Sequence, residues 1–217
     1  SGAISDVLKK FPDAHVVTNL KCKNFLMDHL LIPEDKFIII KDRETLSLGD
    51  KTLEFILTPW VHWPETMVTY LREDKILFTC DFFGSHLATS DLYVQDVPKV
   101  IVDAKRYYAE IMMPFRNAVK KNIQKVKGLD VEIIAPSHGP LYDKPEIILQ
   151  AYEEWVSDKV KNEALLVYVS MHGSTEKMIS VLAEKLMDKG IEVKLFNLVN
   201  SDLGELAMSL VDAATIV

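Results

Sequence analysis

Short apolar runs and stretches of helical spacing alternate along the chain. Ile4 to Phe11 reads as a helix ended by Pro12-Asp13, Val16-Val17 as a short strand, and Cys22 to Leu30 as a second helix. Phe37-Ile38-Ile39-Ile40 is a continuous apolar run and predicts a strand buried on both faces. Thr45 to Leu48 and Thr52 to Leu57, joined at Gly49-Asp50, read as a hairpin. Met67 to Leu71 and Ile76 to Phe78, joined by Arg72 to Lys75, read as another. Val97 to Val126 has helical spacing that Pro114 divides in two. A strand over Val131 to Ala135 and a helix over Glu146 to Val160 follow, and Lys159 to Glu163, without an apolar stripe, reads as a linker.

The texture then changes. Ala164 to Val169 predicts a buried strand, Ser170 to Thr175 a loop of small polar residues, and Glu176 to Lys189 an amphipathic helix closed by Gly190. A strand over Ile191 to Asn197, a short helix over Leu203 to Leu210 and a strand over Thr215 to Val217 complete the pattern. That order implies a parallel sheet with right-handed crossovers. The chain opens without Met, and the apolar run Ala213 to Val217 reads as a buried strand with nothing after it, so both ends read as cuts in a longer chain.

Composition narrows the classes. The 217 residues fit one large domain or two small ones, and 48% apolar with 26% charged residues is the balance of a folded globular chain. A net charge of −7 argues against nucleic acid. Two cysteines, Cys22 and Cys80, cannot build a disulfide framework, which fits the cytoplasm better than secretion. No apolar run reaches the ~20 residues of a membrane helix, and the first residues do not read as a signal peptide.

Two constellations carry chemistry. His62, in Pro59-Trp60-Val61-His62-Trp63-Pro64-Glu65, Asp81, and His138, in Ser137-His138-Gly139-Pro140, each lie just past the end of a strand. Loops held by a rigid sheet are where ligands converge. Imidazoles and a carboxylate suit iron, zinc or manganese, and a carboxylate has two oxygens with which to bridge two ions. The second is Ser170-Met171-His172-Gly173-Ser174-Thr175-Glu176, where hydroxyls and backbone N–H groups at a helix start suit a phosphomonoester. The alternative there is a plain helix cap by Ser174 or Thr175. His86, five residues past Asp81, is placed to touch a ligand rather than a metal. Trp60 and Trp63 either wall a dry pocket or pack in the core. Alternation turns Cys80 away from Asp81 and predicts a buried structural thiol. His15 and His29 read as structural.

Together these residues resemble the flavodiiron proteins, in which a metallo-β-lactamase-like domain with a non-haem diiron centre precedes a flavodoxin-like domain with FMN. Pro59-Trp60-Val61-His62-Trp63-Pro64-Glu65-Thr66-Met67 is similar to the family's His-Trp-Pro signature, and the gaps of 19 residues from His62 to Asp81 and 57 from Asp81 to His138 are similar to its ligand spacing. The resemblance implies an α/β chain. Residues 1–160 would be most of a metallo-β-lactamase-like αββα sandwich, and residues 161–217 the first half of a flavodoxin-like doubly wound sheet. His62 and His138 would bind one iron each with Asp81 bridging them, Trp63 and His86 would stand behind these ligands, and Ser170, His172, Gly173, Ser174 and Thr175 would wrap the FMN phosphate.

The family's His-x-Glu-x-Asp-His motif is absent, and Ser1-Gly2 looks like the helix start that follows it, so the chain reads as an internal segment. The implied activity is reduction of dioxygen to water or nitric oxide to nitrous oxide. The implied assembly is a head-to-tail homodimer or dimer of dimers, with rubredoxin or a reduced deazaflavin coenzyme as donor. Two alternatives belong to other classes: a dinuclear zinc hydrolase fused to an accessory flavodoxin-like domain, and an electron carrier with a vestigial front domain.

Overall fold

A computed structural model describes residues 2–217. Ser1, half of the predicted Ser-Gly helix start, lies outside the described residues. The elements run α1 (Ile4–Lys10), β1 (Val16–Thr18), α2 (Leu20–Leu30), β2 (Phe37–Ile39), β3 (Thr45–Ser47), β4 (Thr52–Leu57), β5 (Met67–Leu71) and β6 (Ile76–Cys80). Then come α3 (Val97–Tyr107), α4 (Arg116–Lys127), β7 (Ile133–Pro136), α5 (Pro145–Trp155), β8 (Lys161–Tyr168), α6 (Ser174–Met187), β9 (Glu192–Asn197), α7 (Leu203–Asp212) and β10 (Ala213–Ile216).

Three sheets form. The central one has the order β3-β4-β5-β6-β7, antiparallel except for the parallel β6–β7 pair. Helices α3, α4 and α5 bury one stripe each over it. On α4 that stripe is Val119, Asn122, Ile123 and Val126, the i, i+3, i+4, i+7 positions of one helical face. On α5 it is Ile148, Tyr152 and Trp155. The α3 start is fixed by Asp96, whose side chain accepts from the Lys99 N–H, with Pro98 in the first turn. Pro114 does divide the long helical stretch: a π turn over Tyr108–Met112 and a 3-10 turn over Met113–Phe115 separate α3 from α4. The third sheet is parallel throughout, in the order β10-β8-β9.

Four expectations need correction. The run Phe37–Ile40 is not buried on both faces: β2 pairs only with β1, and Ile38 and Ile39 are exposed. The helix expected over Glu146 to Val160 stops at Trp155. Lys159–Glu163 is not simply a linker, because β8 begins at Lys161: Lys161 pairs with Asp212, and the buried Glu163 pairs with Lys194 at 2.7 Å. Glu163 is tolerated in the buried strand because it meets an opposite charge. The C-terminal run is a strand as expected, yet Ile216 and Val217 are exposed. Among the described residues no helix is long and apolar enough to cross a membrane.

Candidate metal centre

His62 sits on a loop leaving β4 that folds back on itself. Thr58 N–H donates to Thr66 O at 2.9 Å and Trp60 N–H to Trp63 O at 2.8 Å. Two helices tie the loop down. Asn122 on α4 donates to Pro59 O at 3.2 Å, and Asn19, capping α2, donates to Glu65 O at 2.7 Å. Val61 is fully buried, so the loop is fixed by apolar contact as well.

Asp81 follows β6 directly. The β6–β7 register shifts between Phe78 and Cys80, and Cys80 and Phe83 hold φ of +54° and +67°. With Trp60 at +65°, three of the six non-glycine residues at positive φ among the described residues flank His62 and Asp81. Left-handed backbone costs a residue with a Cβ, and such positions cluster where side chains must be aimed. The His138 loop is locked onto the Asp81 loop: Ser85 N–H donates to His138 O at 3.1 Å, and Ser137 N–H to Cys80 O at 2.7 Å. Two glycines permit this closeness. A methyl on Gly84 would sit 3.1 Å from Asp81 O and 3.4 Å from His138 Cβ, and one on Gly139, at φ +84°, would overlap Ser85 Oγ.

The three expected side chains converge. His62 Nε2 lies 3.3 Å from one Asp81 carboxylate oxygen, and His138 Nε2 lies 3.4 Å from the other. These separations are long for a hydrogen bond. Two donors each ~2.1 Å from one ion, roughly 100° apart, stand about 3.2 Å from each other. Among the described residues, no three His, Cys, Asp or Glu side chains enclose a point as a cage for a single ion. The arrangement is instead two histidines on opposite oxygens of one carboxylate. That donor set fits a bridged pair of ions, each still needing further ligands.

The surroundings differ in part from expectation. Cys80 is exposed, not a buried structural thiol, because the register shift breaks the alternation on which that reading rested. Local desolvation and the neighbouring Asp81 carboxylate push the thiol up from its ordinary range, so it stays protonated. Trp60 and Trp63 are both about half exposed and belong to no core. Trp60 stacks on Phe115 at 5.9 Å, and Trp63 tilts against His62 at 5.9 Å. His86 lies beside His138, their rings 6.1 Å apart. Sequence reasoning missed Tyr107, whose ring contacts both His86 and His138 at 4.7 and 5.9 Å. Burial and the Asp81 charge push its hydroxyl well above the ordinary tyrosine range. Its only signal was a place on the apolar stripe of α3.

The second site residues lie at the carboxyl end of β8. Gly173, at φ +77°, is itself the N-cap residue of α6 and has no side chain, so neither Ser174 nor Thr175 makes the simple cap. Ser170 Oγ accepts from Glu176 N–H at 3.4 Å across the loop. His172, Ser174 and Thr175 are exposed and Gly173 half-buried.

Known proteins share this architecture. Residues 1–139 match the family model described as "ODP family beta lactamase". The chain is 34% identical over 223 aligned positions to coenzyme F420H(2) oxidase of Methanothermobacter marburgensis, covering all of this chain and 55% of that one. It is 36% identical over 221 positions to nitric oxide reductase of Moorella thermoacetica, again covering 100% and 55%. Rubredoxin oxygen:oxidoreductase from Desulfovibrio gigas superposes with a TM-score of 0.93 at 29% identity, over 99% of this chain and 55% of that one. The chain thus spans about half the length of the curated relatives it matches.

Proposed function

The chain belongs to the flavodiiron protein family, and from that premise we propose that the whole protein is a cytoplasmic oxidoreductase that passes electrons from FMN to a diiron pair. It would convert one dioxygen, four electrons and four protons to two waters, or two nitric oxides, two electrons and two protons to nitrous oxide and water. The observation that carries this reading is the single carboxylate of Asp81 with a histidine on each oxygen.

His62 would hold one iron, His138 the other, and Asp81 both. When bound, such a pair supplies two electrons to one small molecule and, as a Lewis acid, offsets developing oxide charge. The chain's own residues set the conditions. Tyr107 sets its ring against His86 and His138 and walls that side of the site. The Ser85–His138 and Asn122–Pro59 bonds hold the loops so that the ligands need little rearrangement. His86 and Trp63 pack against the ligand rings and limit their rotation.

We assign residues 1–160 to the metal domain and 161–217 to an FMN domain. The order β9-β8-β10 supports the second assignment: strands one, two and three stand as 2-1-3, the flavodoxin order, whereas a Rossmann half runs 3-2-1. In that order the ligand lies outside the carboxyl ends of the first and third strands, where Ser170 to Thr175 emerge. Ser170, Ser174 and Thr175 hydroxyls and the backbone N–H groups around His172 and Gly173 would donate to the phosphate. The working form is a head-to-tail homodimer or dimer of dimers, and the donor is rubredoxin or a reduced deazaflavin. Relatives named as oxidase and nitric oxide reductase favour this over the zinc hydrolase.

The test is assay of the purified whole protein for iron and flavin, with dioxygen and nitric oxide consumption followed at an electrode. Two irons and one flavin per chain, with consumption of either gas, are expected. A colourless zinc protein with esterase or lactonase activity would overturn the reading.

A further inference from the structure

The two halves meet where α7 packs on α3 and on the π turn that follows it. Val211 is the one residue beyond Val156 that joins the main apolar cluster among the described residues. Beside it a cavity of about 410 Å³ opens between Val102 and Lys105 on α3 and Phe196 and Met208 of the second half. Charged contacts add direction to this helix packing. Arg106 on α3 donates through two nitrogens to both oxygens of Asp202, at 2.8 and 2.9 Å, and through Nε to Glu110 at 3.0 Å. Asp202 is itself fixed, because it caps α7 by accepting from Gly204 N–H at 2.7 Å. Gly204 is buried directly under the guanidinium, and a methyl there would overlap it. A second tether runs from Lys105 to Asp212 at 2.6 Å and on to Lys161 at 2.7 Å. Tyr107, the next residue along α3, touches His138.

We propose that Arg106, locked bidentately on Asp202 above Gly204, is a positioning residue that sets the orientation of the second sheet on the helix that reaches the metal centre. A bidentate guanidinium–carboxylate pair fixes two directions at once, which a single lysine contact does not. The inference rests on the proposed flavin-to-iron reading for its consequence: the angle between the halves decides where a bound flavin is presented, in its own chain or to a second copy. No new chemistry is involved. Electrons follow the balanced reactions given above, and only the geometry of their transfer changes.

The test uses the whole protein with Arg106→Ala and Gly204→Ala. The glycine variant keeps every charge and displaces the guanidinium, and the urea midpoints of both variants separate a change of angle from a loss of stability. Nitroxides attached through non-natural residues at exposed Lys121 and Lys185 report the distance between the halves by pulsed electron resonance. Wild type should give one narrow distribution, and both variants a broader or shifted one. The rate at which dioxygen or nitric oxide reoxidises the flavin should fall at least about tenfold in both, with flavin and iron content kept, since ångström-scale misplacement costs that much or more. Arg106→Lys, which keeps the charge but not the bidentate contact, should fall between wild type and Arg106→Ala in both readouts. Unchanged distances, or changed distances with unchanged rates, would overturn the proposal. A wild-type protein that reduces neither gas would instead overturn the proposed function, and the distance measurement would still judge the clamp.

Discussion

Asp81 stands at the meeting point of the candidate centre because β6 delivers it past a shifted register and a left-handed Cys80, with each oxygen toward a different histidine. Removing that carboxylate removes a donor from both ions. Asp81→Ala in the whole protein should therefore lose iron far beyond the 10–100-fold weakening typical of ligand-orienting partners, with flavin content unchanged; metal analysis of dialysed protein checks it. Iron retained at wild-type stoichiometry would show that Asp81 is no bridge. Gly139 makes a separate prediction. Its φ of +84° and its contact with Ser85 leave no room for a methyl group. Gly139→Ala should cost about 1–3 kcal/mol from the backbone alone, read as a lower urea midpoint, and should weaken iron binding because His138 is the preceding residue. A stable variant with full iron would mean that the loop is not locked.

Elements differ in how openly the sequence announces them. The hairpins, α6 and the strand ends bearing His62, Asp81 and His138 were readable because apolar period and turn residues agree there. The run Phe37–Ile40 misled because an apolar run looks alike whether covered or exposed. The start of β8 is hidden by Lys161 and Glu163, whose charges are met by partners 51 and 31 residues away, at Asp212 and Lys194. Tyr107, Gly84 and Asn122 escaped notice because their roles are contacts across the fold, which no local spacing encodes. Glu54 shows the same rule on β4. Burial would raise its carboxyl, but Arg72, at 2.8 and 3.0 Å, and Arg43, at 3.1 Å, outweigh this and hold it below the ordinary range. With a folded pKa below the unfolded value of about 4.3, its contribution is whole above that pH and drains away as pH falls through the lower folded value. Glu54→Gln should cost about 1–3 kcal/mol near neutrality, and the gap to wild type should close as pH falls below about 4.3 in urea titrations. A gap independent of pH would contradict the pairing.

For the whole molecule, the mixed five-stranded sheet and the parallel three-stranded sheet are linked through α3, which holds Tyr107 at the candidate centre and Arg106 on the cap of α7 within one turn. The proposed metal centre and the proposed flavin loop become a single device only if electrons pass between them. Anaerobic stopped-flow tests that most directly. Reduced, iron-loaded whole protein is mixed with dioxygen and, separately, with nitric oxide, while the flavin absorbance is followed. Rapid flavin reoxidation by at least one gas in wild type, lost in Asp81→Ala, is the predicted result. Reoxidation at the same rate in both proteins, or in neither, would contradict the account.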